Sequence, residues 1–244
     1  VRTLKGVLEY EGTGYSGFQV QKDRKTIQGE IERALERLTG CRTRIVGAGR
    51  TDAGVHATGQ VISFECESPV PTQSFADALN CHLPRDIRCA GFEEAPEGFN
   101  ARRDAKARSY RYLVVESRRP EVLLRNLAYR VPEPLDLDAM RGAAEPLHGT
   151  HDFASFGTRV SPRGTTIRTL QSLSVQRRGK FVTVGARADA FLKGMVRAIA
   201  GVLIDVGRRR IEETDVARAL EARDRNSVAF NAPACGLYLV KVVY

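Results

Sequence analysis

The 244-residue sequence predicts an α+β fold with largely antiparallel sheets. Strand-like and helical stretches interleave without the regular strand–helix alternation of a parallel sheet. A turn signal at Arg178-Gly179 separates two extended stretches, as in a hairpin. Three segments carry apolar residues at helical spacing, each preceded by a capping side chain.

In chain order, Lys5–Tyr10 reads as a strand that ends in the turn Glu11-Gly12-Thr13-Gly14. A helix is predicted from Ile27 to about Leu38. Thr26 caps it, Ile27, Ile31, Leu35 and Leu38 form one face, and Gly40 ends it. A glycine-rich segment follows, then a strand over Gln60–Glu65. A short helix fits Ser74–Asn80, and two strands fit Ile87–Glu93 and Ser109–Glu116. Leu124–Val131 looks extended. Leu137, Met140, Ala144 and Leu147 mark a helix capped by Asp136. Thr166–Arg177 and Lys180–Ala188 form the hairpin, with imperfect alternation. A helix is expected from about Ala190 to Val206, with Asp189 as its cap and Leu192, Met195, Val196, Ile199, Val202, Leu203 and Val206 as its apolar stripe. A shorter helix spans about Asp215 to Ala222. Gly236–Tyr244 is nearly all apolar and reads as a buried strand. The second half thus repeats the logic of the first. Ser117–Glu121 is a hinge candidate, and Gly98–Lys106 competes with it.

Composition excludes several classes. The chain is 42% hydrophobic and 27% charged, an ordinary globular balance long enough for one large domain or two medium ones. No apolar run approaches the ~20 residues of a membrane helix, and Val1-Arg2-Thr3-Leu4-Lys5 opens no long apolar leader, so a cytoplasmic protein is expected. Five cysteines form no Cys-x-x-Cys pair. Cys81-His82 with Cys89 lacks a fourth ligand at zinc spacing, so reduced thiols are the plainer reading. There is no Gly-Lys-Ser/Thr loop for a nucleotide phosphate. Gly12, Gly14 and Gly17 imitate a dinucleotide fingerprint without its helix start. The four histidines, His56, His82, His148 and His151, form no Ser/His/Asp or metal-ligand pattern.

Charge points to a polyanion. The net charge is +9, and 31 of the 38 basic residues are arginine, whose planar fork suits phosphate. A GC-rich genome or a hot habitat produces the same bias by itself.

Three places carry possible chemistry. In Gly47-Ala48-Gly49-Arg50-Thr51-Asp52-Ala53-Gly54-Val55-His56-Ala57, glycines frame one carboxylate and one arginine with room for another molecule. An Asp in such a bend is most often a turn residue. With Arg50 nearby, Asp52 suits a nucleophile or an electrostatic stabiliser more than a general acid. Phe99–Tyr112 mixes five basic residues with three aromatics, as base stacking and backbone neutralisation require. Tyr110 and Tyr112 share one face of a strand, so at least one of them also suits the core. Arg197 interrupts the apolar stripe of a helix; it is either a paired buried cation or a snorkelling surface one.

Six ordered segments carry a resemblance. Gly49–Ala57 is similar to the signature of the TruA-type family, tRNA pseudouridine synthase A. Tyr10–Gln19, Phe99–Arg102 with Tyr110–Tyr112, His151–Phe156, Phe191-Leu192 with Met195–Arg197, and Gly236–Tyr238 match the same family in order. Lys193-Gly194 departs from it, where histidine-like residues are expected. The resemblance implies isomerisation of uridine to pseudouridine in the anticodon stem-loop of tRNA, at positions 38 to 40. It implies Asp52 as the catalytic carboxylate, Tyr110 against the target base, Arg50 displacing that base and Arg197 pairing with Asp52. It further implies two similar lobes, divided as residues 1–105 and 106–244, with the active-site cleft between them. A homodimer with tRNA across both subunits, no cofactor and no membrane association complete the expectation. The target base must be flipped out of its stack, and phosphate contacts offset that cost. The carboxylate attacks C1′, attacks C6 or removes a sugar proton; residue types do not choose among these. A non-catalytic RNA-binding module and a base-excision glycosidase are the rival readings.

Overall fold

A computed structural model describes residues 1–159, 164–228 and 230–244. It divides into two compact units, residues 1–106 with 238–244 and residues 107–237. Ser117–Glu121, the first hinge candidate, lies inside the second unit, and the units part after Lys106.

The first unit contains β1 (Arg2–Tyr10), α1 (Ile27–Thr39), β2 (Val46–Gly47), β3 (His56–Cys66), α2 (Thr72–Asn80) and β4 (Ile87–Ala95). β1 pairs antiparallel with β3 on one side and β4 on the other, and β2 pairs antiparallel with β3. Alternation along β1 sends Leu4, Leu8 and Tyr10 to a buried face. There Phe75 of α2 lies among Phe64 of β3 and Phe92 of β4, with ring centroids 6.0 and 5.1 Å away. α1 has the caps read from sequence: Thr26 Oγ1 accepts from the Gly29 amide, and Gly40 closes the last turn onto Glu36. On the other face of β1, Lys5 pairs with Glu93 and lies 4.8 Å from the Tyr244 ring. Tyr244 packs with Phe99 and Val242 over Ala48, Val61 and Ala101.

The closing strand was expected within the C-terminal lobe. Its residues 238–244 group with the first unit instead, because Tyr238 and Leu239 pair in parallel with His56 and Ala57 of β3.

The second unit contains β5 (Ala107–Glu116), β6 (Tyr129–Val131), α3 (Leu137–Ala144), β7 (Gly149–Asp152), β8 (Ile167–Arg178), β9 (Phe181–Ala188), α4 (Met195–Gly207) and α5 (Glu213–Ala222); β10 (Leu237–Val243) then ends the chain. β5, β9, β8 and β7 pair antiparallel in that spatial order, and β6 pairs in parallel with β5. The hairpin turns where predicted. A register shift between Leu170 and Ser172 accounts for its imperfect alternation. α3 packs against α4, α5 and β8, and Asp136 caps it through the Ala139 amide. No helix of the described residues is long and apolar enough to cross a membrane.

Two expectations need correction here. The apolar stripe does not start a helix at Ala190, and Asp189 is not its cap. The Lys193 amide and carbonyl bond to those of Thr158, which holds the chain extended. Gly194, at φ +77°, then turns it into α4. Asp189 Oδ1 accepts from the amides of Thr169 and Ala190, tying the bend to β8. Leu124–Val131 is extended only over Tyr129–Val131; the amides of Leu127 and Ala128 both turn back to the Leu124 carbonyl.

Candidate active site

The Asp52 loop leaves the sheet at the end of β2. Its ladder with β3 continues for one more bond, from the Ala48 amide to the Val61 carbonyl, 2.8 Å. At Gly49 the contact is made by a side chain instead of by the strand backbone. Gln60 is fully buried, its Nε2 donates to the Gly49 carbonyl at 2.7 Å, and its Oε1 accepts from the amides of Gly49 and Val61 at 3.3 and 3.2 Å.

Further bonds hold the rest of the loop. The Thr51 hydroxyl, buried, lies 2.8 Å from the Tyr10 hydroxyl, and the Thr51 carbonyl accepts from the Phe18 amide. The Val55 amide donates to the Asp52 carbonyl and closes a turn. Asp52 itself is half-buried and Arg50 is exposed.

The strand after the loop is equally constrained. His56 is 1% exposed and begins β3. Its Nδ1 accepts from the Gly12 amide at 3.0 Å, so a neutral ring carries its proton on Nε2. The ring stacks on Tyr238 at 4.8 Å. A Cβ at Gly12 would lie 2.0 Å from the Val55 carbonyl oxygen, so only glycine lets the two loops approach this closely. The Gly12-to-Gly17 loop is pinned in turn by Tyr15, whose hydroxyl donates to Asp86. Burial, and then that carboxylate, push the Tyr15 phenol up. His56 is therefore a structural residue of this wall, a role its place after the motif left open.

In the second unit, β5 places both tyrosines on its buried face, as alternation predicts, and the structure separates their roles. Tyr112 is fully buried, and its hydroxyl donates to the Pro233 carbonyl at 2.8 Å. Burial pushes that phenol up, so it neither gives nor takes a proton readily near neutrality. Tyr110 sits at the margin, 9% exposed, with the Phe191 ring edge-on at 5.1 Å. Arg111 points to the opposite, exposed face.

Arg197 occupies the first turn of α4 and is half-buried. Its Nε donates to the Ala232 carbonyl at 2.8 Å, and its own carbonyl accepts from the Ala232 amide at 3.0 Å. The side-chain bond orients the guanidinium, and the backbone bond ties the start of α4 to the same residue.

Thr51 with Tyr10, and Gln60, escaped the sequence reading. Gln60 had one signal, an amide heading the apolar run Val61-Ile62. Thr51 and Tyr10 both lie in segments that carry the family resemblance, but nothing local marked them as partners. As for metal, no three His, Cys, Asp or Glu side chains among the described residues gather as a binding group. Cys89 is a buried thiol that burial pushes up to about 12.

A profile of the family described as tRNA pseudouridine synthase matches residues 7–102 and 143–244. The chain belongs to that family. Among relatives, tRNA pseudouridine synthase A of Acetivibrio thermocellus is 43% identical over 244 residues, all of this chain and all of the relative. The enzyme of the same name from Brevibacillus brevis is also 43% identical over the full length of both chains. A chain of the archaeal box H/ACA sRNP Nop10–Cbf5 complex aligns with 95% of this chain and 58% of its own length, at a TM-score of 0.36 and 10% identity, too slight a likeness to build on.

Proposed function

We propose that this protein isomerises uridine to pseudouridine in the anticodon stem-loop of tRNA, as a cytoplasmic homodimer. The observation that carries the reading is the Asp52 loop, a solvent-reaching carboxylate held on a hydrogen-bonded frame, in a chain that matches the family over both of its halves. The reaction breaks N1–C1′, turns the base over and joins C5 to C1′. The C5 proton then leaves. No electrons are gained or lost, so the chemistry calls for no redox cofactor.

Asp52 supplies the charge that acts on the extruded nucleotide. Arg197 pairs with that carboxylate, a role supported by its fixed guanidinium. Tyr110 lies against the base and takes the C5 proton. Arg50 stands on the RNA side and helps displace the base, which its exposure supports.

Release of tritium from tRNA carrying 5-tritiated uridine tests the reading. Tight binding with no release by the wild-type protein identifies a binding module. Free uracil and an abasic site identify a glycosidase.

Two substitutions probe the roles. Arg50→Ala is expected to lower kcat/KM by about 10-fold while the Kd for tRNA changes by less than about 3-fold, because many other arginines contact phosphate. Equal losses in rate and affinity would contradict the displacement role. Tyr110→Phe keeps the ring beside Phe191 and removes the hydroxyl. Tritium release is expected to slow by ~10²-fold, the scale of general acid–base catalysis, with KM unchanged. A variant as fast as wild type would remove the phenol from the proton transfer.

A further inference from the structure

We infer that Gln60 is a positioning residue for the reaction: its buried side-chain amide ends the β2–β3 ladder and sets the direction in which residues 50–52 leave the sheet. The inference rests on Asp52 being the catalytic carboxylate.

β2 pairs with β3 through Val46 with Ser63 and Gly47 with Ile62, and the Ala48 amide reaches the Val61 carbonyl. In an antiparallel ladder only alternate pairs exchange bonds, so beyond Ala48 and Val61 the backbones of Gly49 and Gln60 would not bond to each other, and Gln60 lies in register with Leu8 of β1 on its other side. The Gln60 side chain makes the bonds to Gly49 that the strand backbone cannot. One amide group offers a donor and an acceptor side by side, and both are used on one residue: Nε2–H to the Gly49 carbonyl at 2.7 Å and Oε1 from the Gly49 amide at 3.3 Å. Oε1 also accepts from the Val61 amide, so it is anchored to the strand as well as to the loop.

Gln60 therefore holds the loop one side-chain length from the strand and satisfies both polar groups of Gly49. Gln60 is fully buried and Gly49 partly so, so water is a poor substitute for those bonds if they are lost. Beyond Gly49 the loop is held at Thr51 by Tyr10 and the Phe18 amide. The backbone that leads into Asp52 is thus held at two anchors, Gly49 and Thr51, and Gln60 is the one that the strand supplies. A glutamine-sized packing residue explains none of this pairing. No packing duty requires an amide in the run Val61-Ile62.

Gln60→Leu keeps the volume and removes both polar functions. Gln60→Glu keeps the acceptor but turns a carboxylate oxygen toward the Gly49 carbonyl. Protonation of that carboxyl restores a donor and recovers the amide pattern. Burial and the facing carbonyl both favour the protonated form and raise the carboxyl's pKa. The recovery is therefore present at low pH and lost as pH rises through that raised value. The groups that bond to the position are the Gly49 and Val61 backbone, and among the described residues no charged side chain bonds to it.

The experiment measures kcat and KM for tritium release by full-length protein between pH 5.5 and 8.5, with thermal melts of each variant. Gln60→Leu is expected to lose on the order of 10²-fold in kcat at every pH, the scale of a misplaced catalytic group, with KM changed less than about 3-fold. Gln60→Glu is expected to match that loss at pH 8.5 and to recover toward the wild-type rate at pH 5.5. Parallel pH profiles for Gln60→Glu, Gln60→Leu and wild type would overturn the proposal, since a packing role gives no acid recovery. Amide hydrogen exchange across residues 48–56 judges the loop without any activity. Faster exchange there in Gln60→Leu, with the rest of the first unit unchanged, is the expected result. Unchanged exchange overturns the clamp. If Asp52→Asn turned over normally, the catalytic assignment would fall, and the exchange result would still decide whether Gln60 holds the loop.

Discussion

Replacing Asp52 with Asn is expected to lower tritium release from 5-tritiated tRNA by ~10³-fold or more, with the Kd for tRNA within about 2-fold of wild type. Asparagine keeps the size and polarity of the side chain and loses only the charge. The turn around it uses backbone groups, the Val55 amide and the Asp52 carbonyl, which the substitution leaves in place. The loop anchors at Gly49 and Thr51 involve other side chains altogether. Melting temperature should therefore change little, by no more than the loss of the carboxylate's proposed ion pair with Arg197. RNA affinity should not fall, because removing a negative charge beside a polyanion removes repulsion. A variant that releases tritium at the wild-type rate would show that another group acts on the nucleotide. A variant that fails to bind tRNA would make Asp52 a folding or docking residue.

Phe75→Ala is expected to destabilise the first unit by ~3–5 kcal/mol, the range for truncating a buried phenylalanine. Phe75 is fully buried on α2, with Phe64 tilted at 6.0 Å and Phe92 edge-on at 5.1 Å. Those two rings also meet each other at 5.6 Å, so the three form one cluster. Removing the central ring forfeits its transfer free energy and two aromatic contacts, and strand-borne neighbours cannot close the void. The denaturation midpoint of the first unit should drop, while kcat measured at low temperature on folded protein stays near wild type, because the ring contacts of Phe75 are with Phe64 and Phe92, which bond to none of the Asp52 loop anchors named above. A loss below ~1 kcal/mol would mean that the helix collapses onto the sheet and refills the space. A large loss in kcat with little change in stability would tie this cluster to the site instead.

Local chemistry was legible in the sequence where partners lie within a few residues. Thr26 and Asp136 cap helices through amides three residues on, so they could be read directly. The Arg178-Gly179 turn is local in the same sense, and the hairpin forms there. The start of α4 misled because its apolar spacing is helical from Leu192 onward. What holds Lys193 extended is Thr158, far back in the chain. Alternation put Tyr110 and Tyr112 on one face but did not say which one the core would absorb. That choice needed Pro233 over the Tyr112 hydroxyl and Phe191 against Tyr110. The apolar closing segment announced a buried strand, yet its pairing beside His56 and Ala57 depends on residues more than 180 positions away.

By itself the sequence determined the α+β class, the family and the Gly-framed carboxylate, because composition, capping and motif order are properties of neighbouring residues. Tertiary structure decided what holds that carboxylate: Gln60 on Gly49, Tyr10 on Thr51 and Gly12 on His56. Each is a polar pair shielded wholly or partly from water, and its members come from different segments. A lone polar residue in a sequence shows its capacity to bond. Only the fold shows the group that it must satisfy once water is excluded.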